Sequence, residues 1–145
     1  MKNLLLINKP HFPETSYLIL RFFTGIFMCY YHGWSKLTAD SSRWERLGNT
    51  LTQWIGLDSL KITFGFLAAF SESIGALLIA IGLLTRPSAF LLGITMMVAS
   101  SKKISEAGIN GSELPLLFLI LCLVILLKGP GKFSIDRFLL KNRIG

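Results

Sequence analysis

One carboxylate lies near the middle of the most apolar stretch of the chain. Residues 64–84 form a run of 21 residues that is almost wholly hydrophobic, and Glu72 is the single charged residue in it. A helix that crosses the hydrocarbon core of a bilayer needs about 20 such residues. A carboxylic acid at mid-depth is costly there, so we expect Glu72 to face protein or a cavity and to have a partner.

A second set of residues gives the candidates for that partner. An arc of about 80° on a helix holds Arg21, Gly25, Met28, His32 and Lys36. Measured from one membrane face, Glu72 lies about 18 Å deep and His32 about 22 Å, so His32 is the predicted direct contact. Lys36, at about 28 Å, can reach down to Glu72 or pair with Glu113 at the outer end. Arg21, at about 6 Å, can extend toward the headgroups.

Two interpretations of these residues remain open. In one, a buried Glu–His or Glu–Lys pair fixes the register of two helices and does nothing else. In the other, a sheltered carboxyl beside an imidazole donates a hydrogen bond to a carbonyl, such as that of a quinone, and passes protons. The sequence has no metal-ligand spacing, no second haem ligand at like depth and no phosphate-binding glycine loop. We therefore expect no metal and no intrinsic redox centre.

The elements that hold these residues are predicted to form an all-α membrane protein. Hydrophobic residues make up 52% of the 145 residues and charged residues 16%, with a mean hydropathy of +0.57. We predict one domain, 1–145, that is a bundle of four transmembrane helices with short amphipathic interfacial helices. The spans are expected at about 17–37, 61–84, 87–101 and 113–127, and the interfacial helices at about 42–55 and 134–143.

Small residues and cations refine this arrangement. The Glu72 face of the second span carries Gly65, Ala68, Ala69, Gly75 and Ala76, which lets helices approach closely and predicts a central position for that span. The net charge is +7, and the cations cluster at the ends of apolar runs, which suits lipid headgroups and excludes nucleic acid as a partner. Lys and Arg counts favour both termini in the cytoplasm. Residues 1–13 are expected to form an interfacial arm that is not cleaved, because its apolar run is too short for a signal peptide.

Four motifs carry a resemblance to a known family. The first span ends in Tyr-His-Gly-Trp-Ser-Lys-Leu, at 31–37, and Ser-Glu-Ser-Ile-Gly opens a long motif at 71–86 that ends in Gly-Leu-Leu-Thr-Arg. Further along, a Met-Met-Val-Ala stretch precedes Gly-Pro-Gly-Lys-Phe-Ser-Ile-Asp at 129–136. With these residues the sequence resembles the DoxX family of small four-helix bacterial membrane proteins.

The resemblance implies a bacterial inner-membrane protein, some of whose relatives are subunits of quinone-linked oxidoreductase assemblies. The positions that it carries over are His32, Lys36, Glu72 and Arg86, and also Glu113. Structural turn roles are expected for Arg86, Gly129, Pro130, Gly131 and Asp136. We expect lipid, and either a protein partner or further copies of this chain, around the bundle. The leading hypothesis is a quinone-interacting membrane subunit that supports an oxidoreductase complex. The alternatives are a non-catalytic scaffold or anchor, and a small-solute carrier.

Overall fold

All regular structure in the described part of the chain is helical. The computed structural model describes residues 12–144, with side chains to residue 142, so the expected interfacial arm lies outside it except for its last two residues. Helix α1 (13–37) is followed by α2 (Ser41–Ile55), α3 (61–81), α4 (Thr85–Ala107), α5 (Glu113–Lys128) and α6 (Ile135–Ile144). Short 3-10 turns, Asp58–Leu60 and Ile109–Ser112, precede α3 and α5.

Two of the long helices contain a π-helical turn. Helix α1 consists of Pro13–Met28, the π turn Cys29–Gly33 and Trp34–Leu37. Helix α3 consists of Lys61–Phe70, the π turn Ser71–Gly75 and Ala76–Ile81. Such turns insert one extra residue into a helix and often occur at functional sites.

Helices are present at the predicted spans and interfacial segments, but α4 extends beyond the predicted third span at both ends. The third span was expected to end at residue 101, before Lys102 and Lys103, whereas α4 continues to Ala107 and stops at Gly108, whose φ is 71°. A lysine pair marks where a helix leaves the apolar layer, but it does not terminate the helix, because lysine has good helix propensity. Lys102 therefore projects from a helical turn.

Two helical segments in the described part are long and apolar enough to cross a membrane. They are Asp58–Ile81 and Ile109–Lys128, with mean hydropathies of 1.9 and 2.2. Helices α1 and α4 are comparably long but carry charged residues within or near their apolar stretches.

Helix α3 packs against α1 through glycines. A Cβ added at Gly25 would lie 2.3 Å from the carbonyl oxygen of Ala76, and one at Gly33 would lie 2.1 Å from that of Glu72. Residue numbers rise in α1 as they fall in α3, so the two helices run antiparallel. Gly33 and Glu72 each belong to a π turn, so the two irregular turns lie against each other.

A second antiparallel contact joins α2 to the other end of α3. A Cβ at Gly48 would lie 1.8 Å from the carbonyl oxygen of Lys61, and one at Gly65 would lie 1.7 Å from that of Trp44. Helix α2 therefore packs back along α3, and Trp54 is exposed near its end. With α1 and α2 on separate parts of its surface and α4 also packed against it, α3 is central, as the small residues predicted.

The hydrophobic core lies where α1, α3, α4 and α5 meet. Its fully buried side chains are Met28, Ile79, Leu92, Cys122 and Ile125. Many other apolar side chains point outward, including Leu117, Ile120 and Leu127 on α5. A soluble domain would bury such residues, so this exposed apolar surface is consistent with a lipid environment.

A polar cluster closes the end of the structure where α3 turns into α4. The carboxylate of Asp136 accepts hydrogen bonds from the backbone N–H of Leu84 at 2.8 Å and of Thr85 at 2.9 Å, and from the Thr85 hydroxyl at 2.8 Å. These bonds satisfy donors at the start of α4, where a negative charge is favourable. They also explain how Leu84 holds a φ of 48° and why α4 starts two residues before the predicted boundary.

The loop before α6 is tied to α1 in the same cluster. The Tyr17 hydroxyl donates to the carbonyl of Gly129, and Arg21 Nη2 donates to that of Phe133 at 2.7 Å. Glu14 accepts a bond from the backbone N–H of Lys132 at 3.0 Å. The structural roles expected of the Gly-Pro-Gly motif and Asp136 thus have a clear basis in these contacts, since Gly129 and Gly131 have φ of 78° and 74°.

Candidate functional site

The partner of Glu72 is Lys36. The Lys36 ammonium donates a hydrogen bond to Glu72 Oε2 and forms a salt bridge with it. The Glu72 side chain is 3% exposed and that of Lys36 23%, so the pair is buried on the carboxylate side and partly open on the ammonium side. The expectation that Glu72 faces protein and has a partner is confirmed.

The prediction from depth that His32 is the partner of Glu72 is wrong. The His32 ring is half-buried and lies edge-on to Phe118 of α5, with ring centroids 6.2 Å apart. The lysine stem is long enough to reach down past the depth of its own backbone, whereas the imidazole is held close to its helix. The π turn between Cys29 and Gly33 also shifts the residues after it relative to a regular helix.

Backbone contacts fix both members of the pair. Gly33 lies directly against the peptide of Glu72, so no side chain separates α1 from α3 at this level. The Trp44 indole N–H donates to the carbonyl of Lys36 at 2.8 Å, which ties the end of α1 to α2. Next to Glu72, the hydroxyls of Ser71 and Thr95 are 2.8 Å apart and join α3 to α4. The ion pair therefore lies among three helices that are each held to α3 or α1.

Two cavities meet at this ion pair. The first, which we call the His32 cavity, has a volume of about 460 Å³ and lies between α1, α4 and α5. Besides Lys36 and Glu72, its walls include Met28, His32, Met96, Leu114 and Phe118. The second, which we call the α2 groove, has a volume of about 260 Å³ and lies between α2, α3 and α4. Its walls include Leu47, Leu51, Phe64, Leu67, Thr95 and Val98. Lys36 and Glu72 line both.

The arrangement combines hydrogen-bond donors with an apolar enclosure. In the His32 cavity, the His32 imidazole and the Lys36 ammonium lie beside sulfur, aromatic and aliphatic side chains. The charged side chains of Lys102, Lys103 and Glu106 also line this cavity. Ligand sites for small organic molecules have this composition, with a few polar groups on a largely apolar wall. A flat ring bearing carbonyl oxygens could accept hydrogen bonds from His32 and Lys36, so the residues present fit a quinone headgroup.

Three predicted residues lie away from the ion pair. Arg21 was expected to extend toward the headgroups, but it is 1% exposed and lies in the polar cluster around Asp136. Chain segments distant in sequence, the loop before α6 and the α3–α4 turn, cover it. Glu113 is exposed at the start of α5 and lines neither cavity, and Arg86 is exposed beside Gly129.

Lys102 is a residue that sequence reasoning missed as a site candidate. It lines both cavities from the side of α4 and lies 3.8 Å from Glu106, one turn further on. The signal that could have identified it is helical spacing, because Thr95, Ala99 and Lys102 follow at intervals of four and three. Because Lys102 was taken to mark the end of a span, its position on the same helix face as Thr95 and Ala99 was not considered.

The described residues form an all-helical protein with many exposed apolar side chains and a buried lysine–glutamate pair that lines two cavities, features that suit a membrane protein. The DoxX family model matches residues 16–101, more than half of the chain, so the chain belongs to the DoxX family. The match includes both members of the ion pair and His32, and it ends before the Gly-Pro-Gly motif.

The chain is also similar to an uncharacterized protein of Haemophilus influenzae. The two are 29% identical over 140 residues, an alignment that covers 87% of this chain and 84% of that protein. No solved structure matches the chain.

Proposed function

We propose that this protein is a multi-pass subunit of a bacterial inner membrane that binds a quinone headgroup in the His32 cavity and supports an oxidoreductase partner. The observation that carries the proposal is that the Lys36–Glu72 pair and the His32 ring open into the same largely apolar cavity of about 460 Å³. A quinone takes up electrons and protons at its carbonyl oxygens, and the chain supplies donors for those oxygens.

The proposed topology has four crossings with both termini in the cytoplasm. Besides the two apolar segments, α1 (13–37) is about 37 Å long and α4 about 34 Å, which is enough for a hydrocarbon core of about 30 Å. The charges of α1 that would oppose insertion, Arg21 and Lys36, are engaged with other parts of the chain. Inward-facing charge with a partner is what a spanning helix tolerates.

Each side chain of the cavity has a separable role in this proposal. His32 and Lys36 donate hydrogen bonds to the ring carbonyls, and Phe118 and Met28 enclose the ring. Glu72 holds the Lys36 ammonium in place and is the acid nearest to it in the described residues. In this proposal, the electrons come from the oxidoreductase partner.

The test is the quinone content of purified protein. The protein is isolated in a neutral detergent, reconstituted with a menaquinone or ubiquinone where none is retained, and extracted with organic solvent for quantification. We expect Glu72→Gln to lower bound quinone about tenfold, the effect of about 1.4 kcal/mol of lost interaction. His32→Gln is expected to lower bound quinone as well. This variant removes the imidazole ring but leaves the Lys36–Glu72 ion pair intact.

Glu113→Gln is the matched control, since it makes the same chemical change at an exposed carboxylate outside both cavities. Helix content by circular dichroism separates lost binding from lost folding. If the parent protein binds no quinone under any of these conditions, or if Glu72→Gln and His32→Gln retain it, the proposal is overturned in favour of a non-catalytic scaffold. Co-purification of an oxidoreductase tests the partner separately.

A further inference from the structure

The α2 groove has the length of a lipid chain in one leaflet. Its wall on α4 runs from Leu91 to Lys102, which is about 16 Å at 1.5 Å per residue. One leaflet contributes about half of the roughly 30 Å hydrocarbon core, so the two lengths agree. Leu67 on the groove wall is 37% exposed, so the groove opens sideways, toward the surrounding medium.

A polar recess continues the groove at its Lys102 end. This recess, which we call the polar mouth, has a volume of about 330 Å³ and shares Thr50 and Lys102 with the groove. Its other walls include Arg46, Asn49, Gln53, Ser105 and Glu106. An apolar groove that ends in a recess of charged, amide and hydroxyl groups matches the apolar chain and polar head of an amphiphile.

The charges of the polar mouth favour an anionic head. Arg46 and Lys102 contribute two positive charges and Glu106 one negative charge. Glu106 is 3.8 Å from Lys102, and both side chains are about half exposed, so this pair is weak and gives way at little cost. A phosphate between Arg46 and Lys102 would gain charge-assisted hydrogen bonds from both.

We propose that the α2 groove and the polar mouth bind one anionic phospholipid of the surrounding bilayer, with a chain in the groove and the phosphate between Arg46 and Lys102. A bare carboxylate would leave most of the mouth empty. The headgroup of phosphatidylglycerol fills more of it, and its hydroxyls can bond to Asn49, Gln53 and Ser105. Because Ala99 and Lys36 line both cavities, the lipid would also complete one wall of the ion-pair site.

The experiment measures which lipids the protein retains. The full chain is reconstituted in nanodiscs containing equal amounts of phosphatidylglycerol and phosphatidylcholine, re-extracted into mild detergent, and analysed for bound lipid by native mass spectrometry. We expect the parent protein to retain phosphatidylglycerol preferentially. Arg46→Gln and Lys102→Gln should each lower that preference about fivefold, the effect of one cation near an anionic lipid surface.

Lys103→Gln is the matched control, because it removes the same charge at the neighbouring position, which lines the His32 cavity but not the groove or the polar mouth. Val98→Phe fills the groove without changing charge and should lower retention of the lipid. The proposal is overturned if the parent retains both lipids equally, if Lys103→Gln loses as much as Lys102→Gln, or if Val98→Phe has no effect. The readout is lipid rather than quinone, so it succeeds or fails independently of the proposed function.

Discussion

Removing the two members of the buried ion pair one at a time should have unequal effects. Lys36→Met keeps the stem of the side chain but leaves the Glu72 carboxylate, 3% exposed, without its cation. Breaking a buried pair in this way costs about 3–5 kcal/mol of unfolding free energy. Because the pair lines two cavities and is partly open on the Lys36 side, we expect a cost of about 3 kcal/mol, the lower end of that range.

Glu72→Gln leaves the Lys36 ammonium, rather than the carboxylate, without its partner. Lys36 is 23% exposed, and its ammonium can turn into the His32 cavity or toward the α2 groove. The loss is then closer to that of one hydrogen bond to a charged group, about 1.5–2 kcal/mol. The direction of the asymmetry follows from the exposures, since the Glu72 side chain is almost completely buried and the Lys36 side chain is partly exposed.

The double variant Lys36→Met/Glu72→Leu removes both charges and fills the site with apolar groups. We expect it to be more stable than Lys36→Met alone, because neither charge remains buried without a partner. The cycle formed by the parent, Lys36→Met, a single Glu72→Leu variant and the double variant then gives a coupling energy of about 2 kcal/mol or more between the two positions.

The assay is equilibrium unfolding in mixed micelles, with increasing SDS in dodecyl maltoside, followed by circular dichroism. Lys103→Met is the control, because the same change at an exposed lysine should alter stability by less than about 0.5 kcal/mol. The reasoning is refuted if Lys36→Met unfolds within about 1 kcal/mol of the parent, or if the double variant is less stable than Lys36→Met.

Two further predictions concern the contacts that position the pair and close the far end. Gly33→Ala should lower stability by about 3 kcal/mol, because its Cβ would lie 2.1 Å from the Glu72 carbonyl oxygen and force α1 from α3. Gly93→Ala is the control, because its Cβ would lie an ordinary 3.6 Å from Cys122, and it should be neutral or stabilising. If Gly33→Ala and Gly93→Ala change thermal stability equally, the close contact between Gly33 and Glu72 is contradicted. Asp136→Asn should cost about 1.5–3 kcal/mol, because the carboxylate accepts three hydrogen bonds at the start of α4. Asp58→Asn, at a 75% exposed carboxylate, should cost less than about 1 kcal/mol, and a comparable loss there would refute the capping role.

The helices could be predicted from the sequence because each depends on local patterns. The apolar run around Glu72 and the small residues on its face are sufficient to predict a central helix whose acid is sheltered. The end of α4 could not be predicted in the same way. Lysines are helix formers and membrane-boundary residues at once, and only the second property was applied to Lys102.

The identity of the partner of Glu72 could not be predicted from depth. The calculation uses a constant rise per residue and compares backbone positions, so it omits the reach of a side chain. His32 and Lys36 are four residues apart on one face, and the choice between them depends on where Phe118, from a distant helix, lies. It also depends on two π turns that no local pattern in the sequence indicated. The burial of Arg21 was missed for a similar reason, since one of the segments that cover it lies more than a hundred residues away in the sequence.

The ion pair is not by itself a reason to assign a function, because a buried pair can serve only to fix helix register. Register between α1 and α3, however, is already fixed by other contacts. Gly25 and Gly33 lie directly against the α3 backbone, so a shift by one residue would bring a side chain into each contact. A pair that sets register also has no need of a cavity on either side, whereas Lys36 and Glu72 line two. The glycines therefore account for the register between α1 and α3. The two cavities give a ligand room to contact the ion pair. If the double variant Lys36→Met/Glu72→Leu keeps full stability but loses quinone, the pair is there for binding; if it loses neither, the pair has no role that these contacts do not already fill.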